Sequence, residues 1–282
     1  MAVGTRGTRS DTNRLVVMPL LWSREVFVVP PGRPHCFVRH LSLEAFSCRN
    51  SRQVPAANMG SWAVDHQWEW KEDGTFGCTG TVAEGVTYLL DLTPQPDLLD
   101  VRVTVNNRST ITLEDLYAVM CLDVRRNTLM YDPSLNRTYV EVGGRLVSMS
   151  KTDLAKSYGG VMPTYFSRGT MAENRWIPEA MATYGWAISS MEIDSPIVAI
   201  CSSDGTWTTG EWFCPCHHIT GNCKQPFHDC IHSEPAFGTL GPGKSAAAVG
   251  RLYLSKGSLE KVWSRMADDW RQARELGRPS KD

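Results

Sequence analysis

Short apolar runs, cut by turn residues at intervals of roughly 8–12 positions, recur from Tyr88 to Leu254, and few folds accommodate such a pattern. The cleanest run is Leu99 to Asn106. Leu99, Val101, Val103 and Val105 alternate with Asp100, Arg102, Thr104 and Asn106, the period of a strand with one buried face. Tyr88 to Leu92 precedes it and is stopped by Pro94 and Pro96, which cannot continue a ladder. Ile111 to Leu122 reads as a second, more buried strand, with Glu114 and Asp115 at its start. Tyr139–Val142, Gly143–Gly144 and Arg145–Val147 spell a hairpin with a two-residue loop. Tyr184 to Ser190, Pro196 to Cys201, Trp207 to Trp212 and Val249 to Leu254 continue the series. Turns at Ser202–Gly205 and Leu240–Gly243 punctuate it. No alternation of strand and helix runs through the chain. The pattern predicts an all-β protein, a large antiparallel β-sandwich.

One helix closes it, predicted over residues 258–277. Ser258 caps the start, with Glu260 in the first turn. Leu259, Val262, Trp263, Met266 and Trp270 form an apolar stripe, and Gly277 and Pro279 end the helix.

A chain of 282 residues is long enough for one large β domain, and no linker or repeat divides it, so residues 15–282 are expected to form a single domain. Residues 1–14, with Arg6, Arg9 and Arg14 among small polar residues, read as a flexible tail. Lys and Arg number 29 against 30 Asp and Glu, which disfavours a nucleic-acid partner that must neutralise phosphates. No apolar run approaches a membrane span of about 20 residues. Nine cysteines cannot all pair within the chain. The apolar run Leu15 to Leu21 lacks a cleavage signature, so reduced thiols and a cytoplasmic location are expected, and the sequons at Asn107 and Asn136 carry no weight. The oligomeric state is not legible.

The densest chemistry lies between Cys214 and His232. Eight of the chain's Cys and His residues fall there: Cys214, Cys216, His217, His218, Cys223, His228, Cys230 and His232. Thiolate and imidazole are the donors zinc prefers, so a subset of Cys214, Cys216, Cys223, His228, Cys230 and His232 is a candidate metal site. If the segment is extended, His228, Cys230 and His232 share a face. Two readings compete with a bound Zn2+. His228 and His232 could act without metal, or the thiols could be core filler or a disulfide of Cys214 or Cys216 with Cys223 or Cys230.

A second constellation is Asp65-His66-Gln67-Trp68-Glu69-Trp70. Trp68 and Trp70 share one strand face, and indole faces stack on sugars, with Asp65 and His66 able to bond or transfer protons. The alternative is a Trp-rich core strand. Tyr165 and Arg168 follow Pro163 in a loop-like stretch that suits substrate binding. No dinucleotide fingerprint, phosphate loop or nucleophile elbow is present, so no nucleotide cofactor is indicated.

The order Val103-Thr-Val105-Asn106-Asn107, Leu116-Tyr-Ala-Val-Met-Cys121, Cys230-Ile-His232-Ser-Glu234-Pro235, Leu240-Gly-Pro-Gly243 and Gly250-Arg-Leu-Tyr253 resembles galactose-mutarotase-like β-supersandwich proteins over roughly residues 60–260. That resemblance implies a concave sheet face that binds carbohydrate, in a family of sugar epimerases, polysaccharide lyases and domains without assigned activity. Mutarotases use a His acid and a carboxylate base; here His66 or His232 with Glu234 would supply those types, and His228 stays an acid/base candidate of the Cys/His cluster. The Cys/His cluster is foreign to that pattern. The expected function is carbohydrate-active proton transfer of epimerase or lyase type on a sugar or oligosaccharide ligand. Its rivals are a non-catalytic carbohydrate-binding module and a protein with a structural Cys/His metal site.

Overall fold

The alternation at 99–106 becomes a central strand of one of two facing sheets. The computed structural model describes residues 14–19, 25–31, 38–50, 66–72, 74–153, 162–222 and 230–276. The nine-stranded sheet runs in the order β10 (Arg145–Ser148), β9 (Thr138–Val142), β13 (Ile197–Cys201), β14 (Trp207–Cys214), β17 (Lys244–Lys256), β7 (Leu98–Asn107), β6 (Val86–Pro94), β5 (Phe76–Ala83) and β4 (His66–Trp70). The eight-stranded sheet runs β1 (Val16–Pro19), β2 (Glu25–Val29), β3 (Val38–Ser47), β8 (Leu113–Asp123), β16 (Cys230–Leu240), β15 (Cys216–Asn222), β11 (Met162–Tyr165) and β12 (Trp186–Ile188). Among the described strands every pairing is antiparallel except β11 with β12. The expected all-β antiparallel sandwich is the architecture found.

The main core lies between the sheets. Val101, Val103 and Val105 of β7 and Phe213 of β14 meet Ala118, Met120 and Leu122 of β8 and Ile231 of β16. Residues alternate across a strand, so Tyr117, Val119 and Cys121 of β8, with Cys230, His232 and Glu234 of β16, fall on the outer face of the eight-stranded sheet. Both faces of β8 are covered, which explains its unbroken apolar run. The outer cover comes from Trp176, Ile177, Met181 and Trp186 packed on Ala45, Tyr117, Val119 and Met162.

Local expectations fare well where local physics decides. The β9–β10 hairpin has Gly143 and Gly144 at φ 60° and 74°, the left-handed values a two-residue hairpin turn requires. The Ser202–Gly205 turn joins β13 to β14, with Ser202 Oγ accepting from the Thr206 and Trp207 amides. The terminal helix, α2 (Leu259–Leu276), docks Leu259, Val262, Trp263 and Met266 on the outer face of the nine-stranded sheet, against Ile197, Trp212 and Tyr253. Each such burial contributes about 1.5–3 kcal/mol.

The strand expected from Tyr184 to Ser190 is corrected. Residues Glu179–Tyr184 form a short helix, α1, closed by Gly185 at φ 118°, and only Trp186–Ile188 are extended. A glycine that permits this backbone is a helix stop as readily as a strand residue. Asn107 of the first sequon is fully buried and donates to the carbonyls of Ile111 and Leu240. Among the described residues, no helix is long and apolar enough to cross a membrane.

Candidate functional site

The outer face of the eight-stranded sheet carries a line of polar groups built by β8, β15 and β16. It begins at Asp115, near the start of β8, whose φ of 49° breaks the strand's regular alternation. Its carboxylate is ion-paired to Arg49 at 3.0 Å, accepts from the Trp176 indole, and stands 3.6 Å from His217 Nε2. Burial alone raises the Asp115 carboxyl; His217, Trp176 and Arg49 outweigh it and hold the group at about 2. Asp115 is therefore a permanent anion, suited to orienting and stabilising a protonated imidazole but a poor base.

His217 and His218 come next, and their placement depends on a β-bulge. Between Cys216 and Ile219 the β15 strand advances three residues while its partner advances two, from Pro235 to Ser233. The extra residue sends two consecutive side chains to the same face. His217 stacks on Tyr117 with ring centroids 4.3 Å apart, and His218 meets the same ring edge-on at 5.3 Å. Their Nδ1 atoms lie 2.7 Å apart, so one carries the hydrogen and the other the lone pair. Burial, the largest influence, with the charges of His217 and His232, pushes the His218 pKa well below its usual range.

The line continues on β16 at positions 230, 232 and 234, two apart and hence on one face. His232 Nδ1 lies 3.1 Å from Glu234 Oε1, and Glu234 Oε2 accepts the Met120 amide at 2.7 Å. His232 Nε2 lies 3.2 Å from Cys230 Sγ. Register places Cys121 of β8 opposite His232. The donor atoms of Cys121, Cys230 and His232 all lie within 4.8 Å of one another, an arrangement that could hold a metal ion. All four side chains are buried. Burial pushes Glu234 up to about 7 against the pull of His232 and the Met120 amide. For His232, burial is outweighed by Cys230 and Glu234, which raise its pKa.

At the Asp115 end the line opens into a pocket of about 660 Å³, bordered by Arg49, Asp115, Thr170, Asn174, His217 and Thr239. With Glu114 and Thr112 also in the lining, this mixture of one cation, two carboxylates, an imidazole, hydroxyls and an amide can bond a polyhydroxylated ligand from several sides.

The sequence-predicted residues divide. His232 and Glu234 are hydrogen-bonded, with Cys230 beside them. His66, Trp68 and Trp70 lie on β4 at the edge of the other sheet. Trp68 packs toward the inter-sheet core, while Trp70 is 61% exposed and rests on Phe76. The eight-stranded sheet separates that core from His232, so His66 and the Trp pair do not share a site with Glu234. Tyr165 is fully buried between the sheets and bonds Thr152, and Arg168 is ion-paired to Asp194 at 2.9 Å. Cys214 and Cys216 part company: Cys214 ends β14 and packs toward α2, whereas Cys216 starts β15 in the other sheet and packs on the main core. Neither joins Cys230 and His232, and Cys214, Cys216 and Cys230 are all free thiols rather than disulfide partners. Asp65, Cys223 and His228 lie outside the described residues.

Asp115, Cys121, His217, Arg49 and Trp176 are the residues that local patterning missed. His217 stood inside the Cys/His-rich window; the other four become site residues only through strand register and the loop folded over the sheet.

No family model matches this chain, and no curated protein matches it. Among solved structures it is similar to an α-galactosidase from Geobacillus stearothermophilus in complex with stachyose, at 12% identity and TM-score 0.41, covering 76% of this chain and 30% of that one. It is also similar to a galactose mutarotase related enzyme from Lactobacillus acidophilus, at 10% identity and TM-score 0.39, covering 87% and 98%. An α-galactosidase from Lactobacillus brevis matches at 11% identity and TM-score 0.42, covering 81% and 31%. The chain thus spans about a third of the α-galactosidases.

Proposed function

We propose that the pocket beside Asp115 and His217 binds a sugar or sugar acid and that His217 moves a proton on it, in epimerase- or lyase-type chemistry. One observation carries this: an imidazole backed by a held carboxylate lies at the wall of a pocket whose rim is polar, Arg49, Thr170, Asn174 and Thr239. Asp115 stabilises the imidazolium, and the Nδ1 contact to His218 holds the ring in place. His232 and Glu234 support the line from behind rather than touching substrate. The seven free thiols among the described residues suit a reducing, cytoplasmic setting.

The test is a panel of neutral sugars and uronic acids, with binding followed by calorimetry and turnover by NMR. His217→Ala is expected to bind ligand and lose about 10²–10⁴-fold in rate, the usual contribution of a proton-transferring side chain. A folded His217→Ala protein with full turnover overturns the assignment. Binding of sugars by the wild-type chain without any turnover replaces the enzyme with a binding module.

A further inference from the structure

We infer that Cys121, Cys230 and His232 form a metal site for zinc or a similarly soft divalent cation, with Glu234 as the residue that orients its histidine. Nothing in the sugar chemistry requires these three residues. Cys121 and Asp115 are six positions apart on β8, roughly 20 Å along an extended strand, so the cluster is separate from the pocket.

The geometry is that of a donor set and not of chance packing. Cys230 and His232 are two apart on β16 and face the same way, and the β8–β16 register brings Cys121 opposite His232. Both strands are central in their sheet, so the ligands sit on rigid elements. Cys230 Sγ and His232 Nε2 are 3.2 Å apart, and the three donors lie within 4.8 Å of one another. Zn–S bonds of about 2.3 Å and Zn–N bonds of about 2.0–2.1 Å in tetrahedral array span such separations with minor adjustment. With a metal bound and the ring neutral, the Glu234 carboxylate 3.1 Å from His232 Nδ1 would accept its hydrogen and leave the Nε2 lone pair turned toward Cys230. A carboxylate on the far nitrogen of a ligating histidine fixes its tautomer and direction, and Glu234 is itself fixed by the Met120 amide.

Charge points to the same class of ion. Cys121, Cys230 and His232 are no more than 3% exposed, so a net charge there is costly. A divalent cation displaces two protons to solvent, and its two positive charges are cancelled by two thiolates with the imidazole neutral; the remaining negative charge, on Glu234, is held by the His232 Nδ1 hydrogen and the Met120 amide. The sulfur and nitrogen donors select zinc or a related soft ion over magnesium or calcium, which demand oxygen.

The experiment uses the full chain, purified without chelators, loaded with zinc chloride and desalted. About one zinc per chain is expected. Cobalt loading is expected to give thiolate-to-cobalt charge-transfer absorption and the strong visible bands of a tetrahedral ion. Cys121→Ser should abolish the charge-transfer pattern of two thiolates, and Cys201→Ser, on the other sheet, should leave it unchanged. Because a buried Cys→Ser change can impair folding, Glu234→Gln supplies a second reading: it keeps all three donors and should weaken zinc about 10–100-fold in competition with a chromophoric chelator. A wild-type chain that holds no zinc and shows no charge-transfer band with cobalt overturns the site. So does a folded Cys121→Ser protein with an unaltered cobalt spectrum, or a Glu234→Gln protein with unaltered zinc affinity. Sugar binding by the same preparations is read separately, so failure at one end of the line leaves the other intact.

Discussion

The two adjacent histidines of β15 are where a single side chain has a measurable thermodynamic signature. His218 is 1% exposed, and its Nε2 is buried without a hydrogen-bond partner. The Nδ1–Nδ1 contact tolerates only one hydrogen, so two protonated rings cannot share it. The folded protein therefore keeps His218 neutral, while the unfolded chain protonates it near pH 6.5. Below that pH the unfolded state takes up a proton that the folded state refuses, and stability falls by up to about 1.4 kcal/mol per pH unit. Above it, the group contributes fully and the slope vanishes. Urea unfolding of wild type and His218→Gln, at neutral pH and near pH 5, should show a shallower acid loss in the variant. Parallel losses would mean that His218 is charged in the fold.

Strands are held to their neighbours by contacts that leave some positions no room for a side chain. Gly250 lies in the middle of β17, where an added Cβ meets Phe213 Cδ1 at 2.4 Å and the Trp212 carbonyl oxygen at 2.5 Å. The carbonyl belongs to the neighbouring strand's backbone and cannot give way cheaply. Gly250→Ala should cost about 1–3 kcal/mol, the usual penalty of overpacking. Gly241→Ala, whose Cβ meets only Lys244 Cγ at 4.0 Å, should cost far less. Midpoints of urea unfolding for the two variants decide it; equal midpoints would place β17 differently against β14. The same scale explains why β15 matters: its bulge, and not its sequence alternation, brings His217 to the pocket.

The two sheets face each other across one apolar cluster that contains residues from Leu15 to Leu254. Polar ties cross it too. Ser233 of β16 donates its amide to Glu211 of β14 at 2.9 Å and its hydroxyl to the Pro196 carbonyl at 3.1 Å. Neither sheet has another partner for its inner face, and exposing one exposes the other. Residues 15–282 are accordingly expected to unfold as one unit. Tryptophan fluorescence, which samples both sheets and α2, and far-ultraviolet circular dichroism should give coincident urea transitions. Two separated transitions would divide the chain into independent parts.

How much was legible follows from the range of the forces involved. Alternation at 99–106, the Gly143–Gly144 hairpin, the Ser202–Gly205 turn and the stripe of α2 are set by residues within a few positions of one another, and the sequence alone determined them. It also placed Cys230 and His232 on one face of an extended segment, because strand periodicity is local; that Glu234 joins them follows from β16 being extended through residue 240. Long-range register did the rest. Cys121 meets His232 only because β8 pairs with β16, more than 100 positions away. Cys214 and Cys216 separate because the chain changes sheets at Pro215, and His217 joins Asp115 because one extra residue bulges out of β15. Pairing register and sheet membership are fixed by the burial of a common core, a sum over distant residues that no local window contains.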